Sequence, residues 1–327
     1  MEFGAPGAET AHDQSGAPHG EVWIYTSFYQ HVVDDLDKLI RAELPGVEPK
    51  WFTGGSEKVM QRLDAEITAG GSRADLLIVS DPFYYVRLKK TGQLTPYVPP
   101  GALRVPRNLV DPDGAWLSSR AAVMVIVFNT KALDAERAPQ SYADLVDPKW
   151  KGQIIVPDAL ASGTFFTTVA FLWDKMGVAW FEGLKANQVI STGGNSAVIE
   201  RVSSGEYKAG MALLENVLTA QRKGAPIGYL LPREGAVIIP GPSAMLAGSR
   251  NPVAARAVLD LLFAEKGQAL MVKGDMYAVD PRQPAAKGAP PWEKVLETSL
   301  PWSEALTARL EEHAAEIRAE FHRIVQQ

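Results

Sequence analysis

Residues 21–79 read EVWIYTSFYQHVVDDLDKLIRAELPGVEPKWFTGGSEKVMQRLDAEITAGGSRADLLIV, and this stretch decides the fold. Val22-Trp23-Ile24-Tyr25 is a short β-prone run. Thr26-Ser27 leads into a segment with Val32, Val33, Leu36, Leu39 and Ile40 at three- and four-residue spacings, the periodicity of a helix with one apolar face. Pro45-Gly46 ends it, and Val47 to Phe52 predicts a second strand. Thr53-Gly54-Gly55-Ser56 turns into another helix, with Val59, Met60, Leu63 and Ile67 on one face. Ala74 to Val79 is a continuous apolar run, the pattern of a parallel strand covered on both sides. The order β-α-β-α-β marks an α/β chain.

The rest of the chain extends this pattern. Tyr97 to Asp113 is rich in Pro and Gly and predicts a surface connection. Strands are expected at Ala121–Phe128, Ile154–Pro157, Ala209–Leu214 and Val237–Pro240. Helices are expected over 162–186, Ser196–Ser204, Val217–Arg222 and Ala254–Phe263. After Ser303, a suitable N-cap, Leu306, Leu310, Ala314, Ile317, Phe321 and Ile324 form one stripe of a terminal helix that faces a core. Residues 1–20 are Gly, Ala, Pro and polar side chains, read as a disordered leader without the apolar segment of a secretion signal.

Composition narrows the functions. The 33 Lys and Arg against 38 Asp and Glu leave a net charge of −5, without the basic footprint of a nucleic-acid binder. There is no Cys, so disulfides, thiolate metal sites and a cysteine nucleophile are excluded. Only five His are present, and no HExxH, GxSxG or SxxK pattern stands in a suitable context. Neither a P-loop nor a GxGxxG motif follows a strand. An enzyme is therefore not expected, nor is a cofactor or a resident metal.

Three turns share one design. Tyr25-Thr26-Ser27, Thr53-Gly54-Gly55-Ser56 and Ser162-Gly163-Thr164 each join a buried strand to a helix. The first turn of a helix carries unpaired N–H groups and the positive end of the helix dipole, so it favours an anion. Hydroxyls add donors, and Gly lets a ligand reach the backbone. In an open α/β sheet such turns lie beyond the carboxyl ends of the strands, where ligands bind. Thr192 to Ser196 adds a fourth turn, with the Asn195 amide. Glu215-Asn216 follows a strand and reads as a ligand contact or a loop charge. Asp81, after Val79-Ser80, is a ligand contact or a helix start. Phe28, Tyr29, Tyr84 and Tyr85 form an aromatic cluster that either packs or touches a ligand.

Several motifs occur in order: Ala74-Asp75-Leu76-Leu77, Asp147 to Gly152, Ser162-Gly163-Thr164, Gly193 to Val198, Ser204-Gly205-Glu206 and Glu265-Lys266-Gly267-Gln268. Together they resemble the periplasmic solute-binding proteins of ABC importers, in the branch that includes ferric-ion binders, over about residues 21–285. The resemblance implies a two-lobed type II binding-protein fold with a ligand cleft and hinge strands. The lobes would take 21–122 with 236–285, and 123–235 with 286–327. It also implies a periplasmic location, an inner-membrane ABC permease as partner, a monomer, and a signal peptide missing from this chain.

The ferric branch places a Tyr pair about ten residues beyond the Gly205-Glu206 region, and that place here holds Glu215-Asn216. Its His falls near Tyr29 and its carboxylate near Ser80, with Asp81 beside it. The anion half of the family site matches Ser162, Gly163, Thr164 and Asn195. The resemblance thus implies capture of a small phosphorylated anion: a sugar phosphate, phosphoglycerate or aminoalkylphosphonate. Thr26, Ser27, Thr53, Gly55 and Ser56 would close from the other lobe, and Glu215 would read a distal hydroxyl or amine. A ferric binder, or a polyamine or thiamine binder on the same fold, is the alternative.

Overall fold

The computed structural model describes residues 17–300 and 302–327. Most of the expected leader, residues 1–16, lies outside them. In chain order the strands are β1 (Gly20–Thr26), β2 (Val47–Thr53), β3 (Leu76–Ile78), β4 (Leu94–Thr95), β5 (Leu117–Asn129), β6 (Ile154–Val156), β7 (Ile190–Ser191), β8 (Ala209–Leu213), β9 (Ile227–Leu230), β10 (Val237–Leu246) and β11 (Tyr277–Ala278). The helices are α1 (Gln30–Glu43), α2 (Ser56–Thr68), α3 (Pro82–Lys90), α4 (Gly163–Met176), α5 (Val178–Ala186), α6 (Asn195–Ser203), α7 (Leu214–Arg222), α8 (Pro252–Phe263), α9 (Glu265–Lys273), α10 (Trp292–Glu297), α11 (Glu304–Glu312) and α12 (Ala314–Phe321). Among the described residues no helix is long and apolar enough to cross a membrane.

Hydrogen bonds link the strands in the order β2-β1-β3-β10-β5-β8-β6-β7. At one end β1 runs parallel to β2 and β3. At the other, β6 runs parallel to β7 and β8. Between them β5 and β10 pair antiparallel, Val237 opposite Met124 through to Ser243 opposite Leu117. Both are long and buried along their whole length, so their side chains are core on two faces. They connect the two parallel ends.

Three boundaries differ from the sequence expectation. The helix over 162–186 is two helices, because Gly177 sits at φ 69° and ends α4. The terminal helix breaks at His313, but Leu306, Leu310, Ile317, Phe321 and Ile324 are all buried as the stripe requires. The helix expected from Val217 begins at Leu214, which moves Glu215 from a loop into the first turn of α7. The segment 286–327, expected with the second lobe, touches elements on both sides: α11 packs on α3 as well as α4, and α12 packs on α4.

Two of the short motifs have a structural cause. Asp75 is buried; its carboxylate accepts from the Trp23 amide, the Ser249 hydroxyl and the amides of Arg250 and Asn251, tying β3 to β1 and to the start of α8. Gln268 is also buried, donates to the Ser119 and Leu262 carbonyls, and accepts from the Val279 and Asp280 amides. Such buried polar groups persist because every partner is present.

Candidate functional site

The site grows from helix starts. Residues at the first turns of α1, α2, α4, α6 and α7 line one cavity of about 150 Å³. Its walls include Ser27 and Tyr29 before α1, Gly55 and Ser56 at α2, and Ser80 after β3. Across from these stand Ser162 and Thr164 at α4, Gly194, Asn195 and Ser196 at α6, and Glu215 at α7. No side chain caps α1, α2 or α6, so their leading N–H groups have no side-chain acceptor at the cavity wall.

The hydroxyls form a network. Ser162 Oγ and Thr164 Oγ1 are 3.0 Å apart, and Ser162 Oγ also accepts from the Phe165 amide. Asn195 Nδ2 donates to Thr164 Oγ1 at 3.0 Å and reaches Ser162 Oγ at 3.5 Å. Asn195 is buried, yet its Oδ1 has no partner among the described residues. Leaving such an acceptor unpaired costs about 1–3 kcal/mol, so a ligand donor, or an amide turned to offer its NH₂, would recover stability here.

The cavity also holds a cation that sequence reasoning missed. Arg120 on β5 is buried, with a side chain 5% exposed. Its Nη2 donates to Ser80 Oγ at 2.5 Å, and its Nη1 lies 3.5 Å from Glu215 Oε1. The guanidinium lies over the Phe28 ring, 5.3 Å from its centroid. Gly241 on β10 makes room for it, since a Cβ there would meet Arg120 Cγ at 2.6 Å. A guanidinium has five N–H donors, and these contacts leave some for a ligand. The sequence signal was a charged residue at the edge of the apolar run 121–128, where a strand end in water is the ordinary outcome.

Glu215 is buried and its pKa is pushed up to about 7 by desolvation, with Arg120 pulling it back and Asp275 adding to the rise. The Tyr29 hydroxyl is also pushed well above its ordinary range, first by desolvation and then by Glu215. Tyr29 donates to Asn216 Oδ1 at 2.8 Å, and Asn216 Nδ2 reaches Ser196 Oγ at 3.3 Å. A chain of hydrogen bonds therefore crosses the cleft beside the cavity. Among the described residues, no three His, Cys, Asp or Glu side chains converge where a metal ion could sit.

The other expected site residues take different places. Asp81 does not line the cavity: it caps α3, accepting from the Phe83 and Tyr84 amides, and its Oδ2 pairs with Arg318 at 2.8 Å. Thr26 is buried and its Oγ1 accepts from the Phe28 amide, which shapes the turn. Thr53 lies in a separate shallow cleft with Trp51 and Gln30. Asn216 reaches the site only through Tyr29 and Ser196. Gly163 is a point of close approach: a Cβ there would lie 2.9 Å from Ser56 Cβ, 3.1 Å from the Ser80 carbonyl and 3.2 Å from Asp81 Cβ. Of the aromatic cluster, Tyr85 donates to backbone carbonyls and Tyr84 to Asp64, so these two pack and Tyr29 alone lines the cavity.

A sequence profile described as bacterial extracellular solute-binding protein matches residues 72–299. Iron uptake protein A1 of Synechocystis is 26% identical over 83% of this chain and 77% of its own length. The crystal structure of iron-bound HitA from Pseudomonas aeruginosa superposes with a TM-score of 0.82 at 20% identity, covering 92% of this chain and 99% of that one. AfuA from Actinobacillus pleuropneumoniae, with fructose-6-phosphate bound, gives a TM-score of 0.82 at 20% identity over 94% of this chain and 98% of its own.

Proposed function

We propose that this chain, which belongs to the bacterial extracellular solute-binding protein family and has its two-lobed type II fold, captures a small phosphorylated or phosphonate anion for an ABC permease. The lobes would be 21–122 with 236–285 and, opposite them, 123–235 with 286–327, with β5 and β10 as the hinge strands. The protein would act outside the inner membrane as a monomer.

The observation that carries this reading is the buried guanidinium of Arg120 in a cavity ringed by hydroxyls and helix starts. A phosphoryl group supplies several acceptor oxygens and negative charge. Ser56, Ser162, Thr164, Asn195 and the free donors of Arg120 would meet those oxygens, and charge-assisted bonds of this kind are short and strong. Glu215 would accept from a distal amine or hydroxyl. A cavity of about 150 Å³ takes roughly six to eight heavy atoms, judged by the size that holds a benzene. That favours a short phosphonate over a hexose phosphate in the closed cleft.

The curated relatives named for iron uptake support a second reading, a ferric binder. Against it, hard Fe(III) wants anionic oxygen ligands. Here, among the described residues, the cavity is lined by one tyrosine, Tyr29, and one carboxylate, Glu215, beside the positive charge of Arg120. Titration calorimetry with inorganic phosphate, 2-aminoethylphosphonate and glucose 6-phosphate tests the proposal, beside Fe(III)-citrate followed by visible absorbance. Heat with a phosphoryl ligand is the expected result. No heat with any of them, together with a coloured iron complex, would overturn it.

A further inference from the structure

The geometry points to Arg318, outside the cavity, as a positioning residue that holds the cleft closed and sets the lifetime of the bound state. Arg318 lies on α12 and touches three helix starts at once. Its Nη2 pairs with Asp81, the N-cap of α3, at 2.8 Å, and its Nη1 pairs with Glu57 in the first turn of α2. Its guanidinium carbon sits 3.7 Å from the ring centroid of Phe166, in the first turn of α4. These turns carry Ser56, Ser80, Ser162 and Thr164, four of the hydroxyl residues of the cavity walls.

The three contacts lie on opposite sides of the cleft. Glu57 and Asp81 follow β2 and β3 in the chain, while Phe166 follows β6 and shares a buried cluster with residues of β6 and β8. Moving the walls apart must break either the ion pairs or the cation–π contact. The side chain of Arg318 is 23% exposed, and those of Glu57 and Asp81 are 15% and 1% exposed. Desolvation raises the pKa of both carboxyls, and Arg318 opposes the rise. Removing the guanidinium would leave two buried carboxyl groups without their cation, a costly arrangement.

The neighbouring contacts of the same segment also straddle the seam. Lys90 on α3 pairs with Glu311, while Arg309 pairs with Asp174 on α4. Trp173 Nε1 donates to Glu320 at 3.2 Å, and Gln326 Nε2 donates to Asp158 at 2.6 Å. The C-terminal segment is thus bonded on both sides, and Arg318 is the contact whose partners Glu57 and Asp81 adjoin the cavity residues Ser56 and Ser80.

The mechanism is a population shift. A ligand that enters the open cleft and is then held by closure loses affinity by the factor by which closure is weakened. The claim rests on the cleft being the ligand site and is independent of the ligand's identity. R318A and R318K should be compared with the wild type in two ways. Small-angle X-ray scattering without ligand should show a larger radius of gyration for R318A. Stopped-flow and calorimetry with inorganic phosphate should show roughly 10- to 100-fold weaker binding, carried by faster dissociation with an unchanged association rate. R318K keeps the stem packed but lacks the planar fork, so it should show the same direction if R318A is poorly folded. Wild-type scattering and wild-type phosphate kinetics in both variants would overturn the inference. A wild-type protein that binds no phosphate would overturn the proposed ligand, while the scattering comparison would still decide the role of Arg318.

Discussion

Gly163 offers a test in which stability and affinity should part company. It is the first residue of α4, at a backbone angle that any residue adopts. An added methyl would lie 2.9 Å from Ser56 Cβ, 3.1 Å from the Ser80 carbonyl and 3.2 Å from Asp81 Cβ. Comfortable carbon–carbon contact begins near 3.5 Å, so the opposing turns must retreat by about 0.6 Å. Overpacking of this size costs about 1–3 kcal/mol, or roughly 5- to 150-fold in an equilibrium constant. The clashing atoms belong to the start of α2 and to the two residues that lead into α3, on the far side of the cleft. In an open cleft the methyl meets none of them, and Ala is a better helix former than Gly by up to about 1 kcal/mol. G163A should therefore bind phosphate about 5- to 150-fold more weakly by calorimetry, while the melting temperature of the ligand-free protein changes little, because opening the cleft relieves the clash. A fall of several degrees in melting temperature with unchanged affinity would refute this. It would mean that the contact is fixed core packing and not a seam that opens.

Three further outcomes follow from the geometry. R120M should reduce phosphate affinity by at least about 100-fold, because it removes the cavity's cation and its donors, and R120K should recover only part of that, since an ammonium cannot fork between Ser80 and a ligand; wild-type affinity in R120M would sink the site. Glu215 is held up to about 7 from an ordinary 4.5, so the folded protein keeps a proton that the unfolded chain releases. Its contribution is fully present below pH 4.5 and is lost as pH rises to about 7, by up to about 3 kcal/mol; E215Q should flatten that slope in melts from pH 4.5 to 8, and parallel curves would count against it. G210A should lower the melting temperature by several degrees with normal affinity in the folded fraction, because a Cβ there would meet the Ile155 carbonyl at 2.2 Å and overpacking of a central strand is destabilising; an unchanged melting temperature would contradict the strand register.

Much of the site was legible because helix starts announce themselves locally. Ser27, Ser56, Ser162 and Asn195 stood at strand–turn–helix junctions, and the structure brings all four to one cavity. Asp81 looked the same from its neighbours, yet the Pro after it made a cap its stronger use. Thr26 and Thr53 failed for a simpler reason. Alternate residues of a strand end point to opposite faces, and the periodicity of a three- or four-residue turn does not say which face meets the ligand. Arg318 left no signal, because its carboxylate partners are more than 230 residues away in sequence.

What the sequence determined by itself was the alternation of strand and helix and the supply of hydroxyls, both set by spacing within about twenty residues, and the family resemblance, carried by the order of short motifs along the chain. The tertiary structure alone decided the charge of the site. Arg120 faces the cavity because β5 crosses between the two parallel ends of the sheet, and because Gly241 on β10 leaves space for its stem. Glu215 faces it because α7 starts three residues earlier than its apolar pattern suggests. A cation and an acid 95 residues apart become neighbours through strand register, and register is a property of the paired sheet that neither segment carries alone.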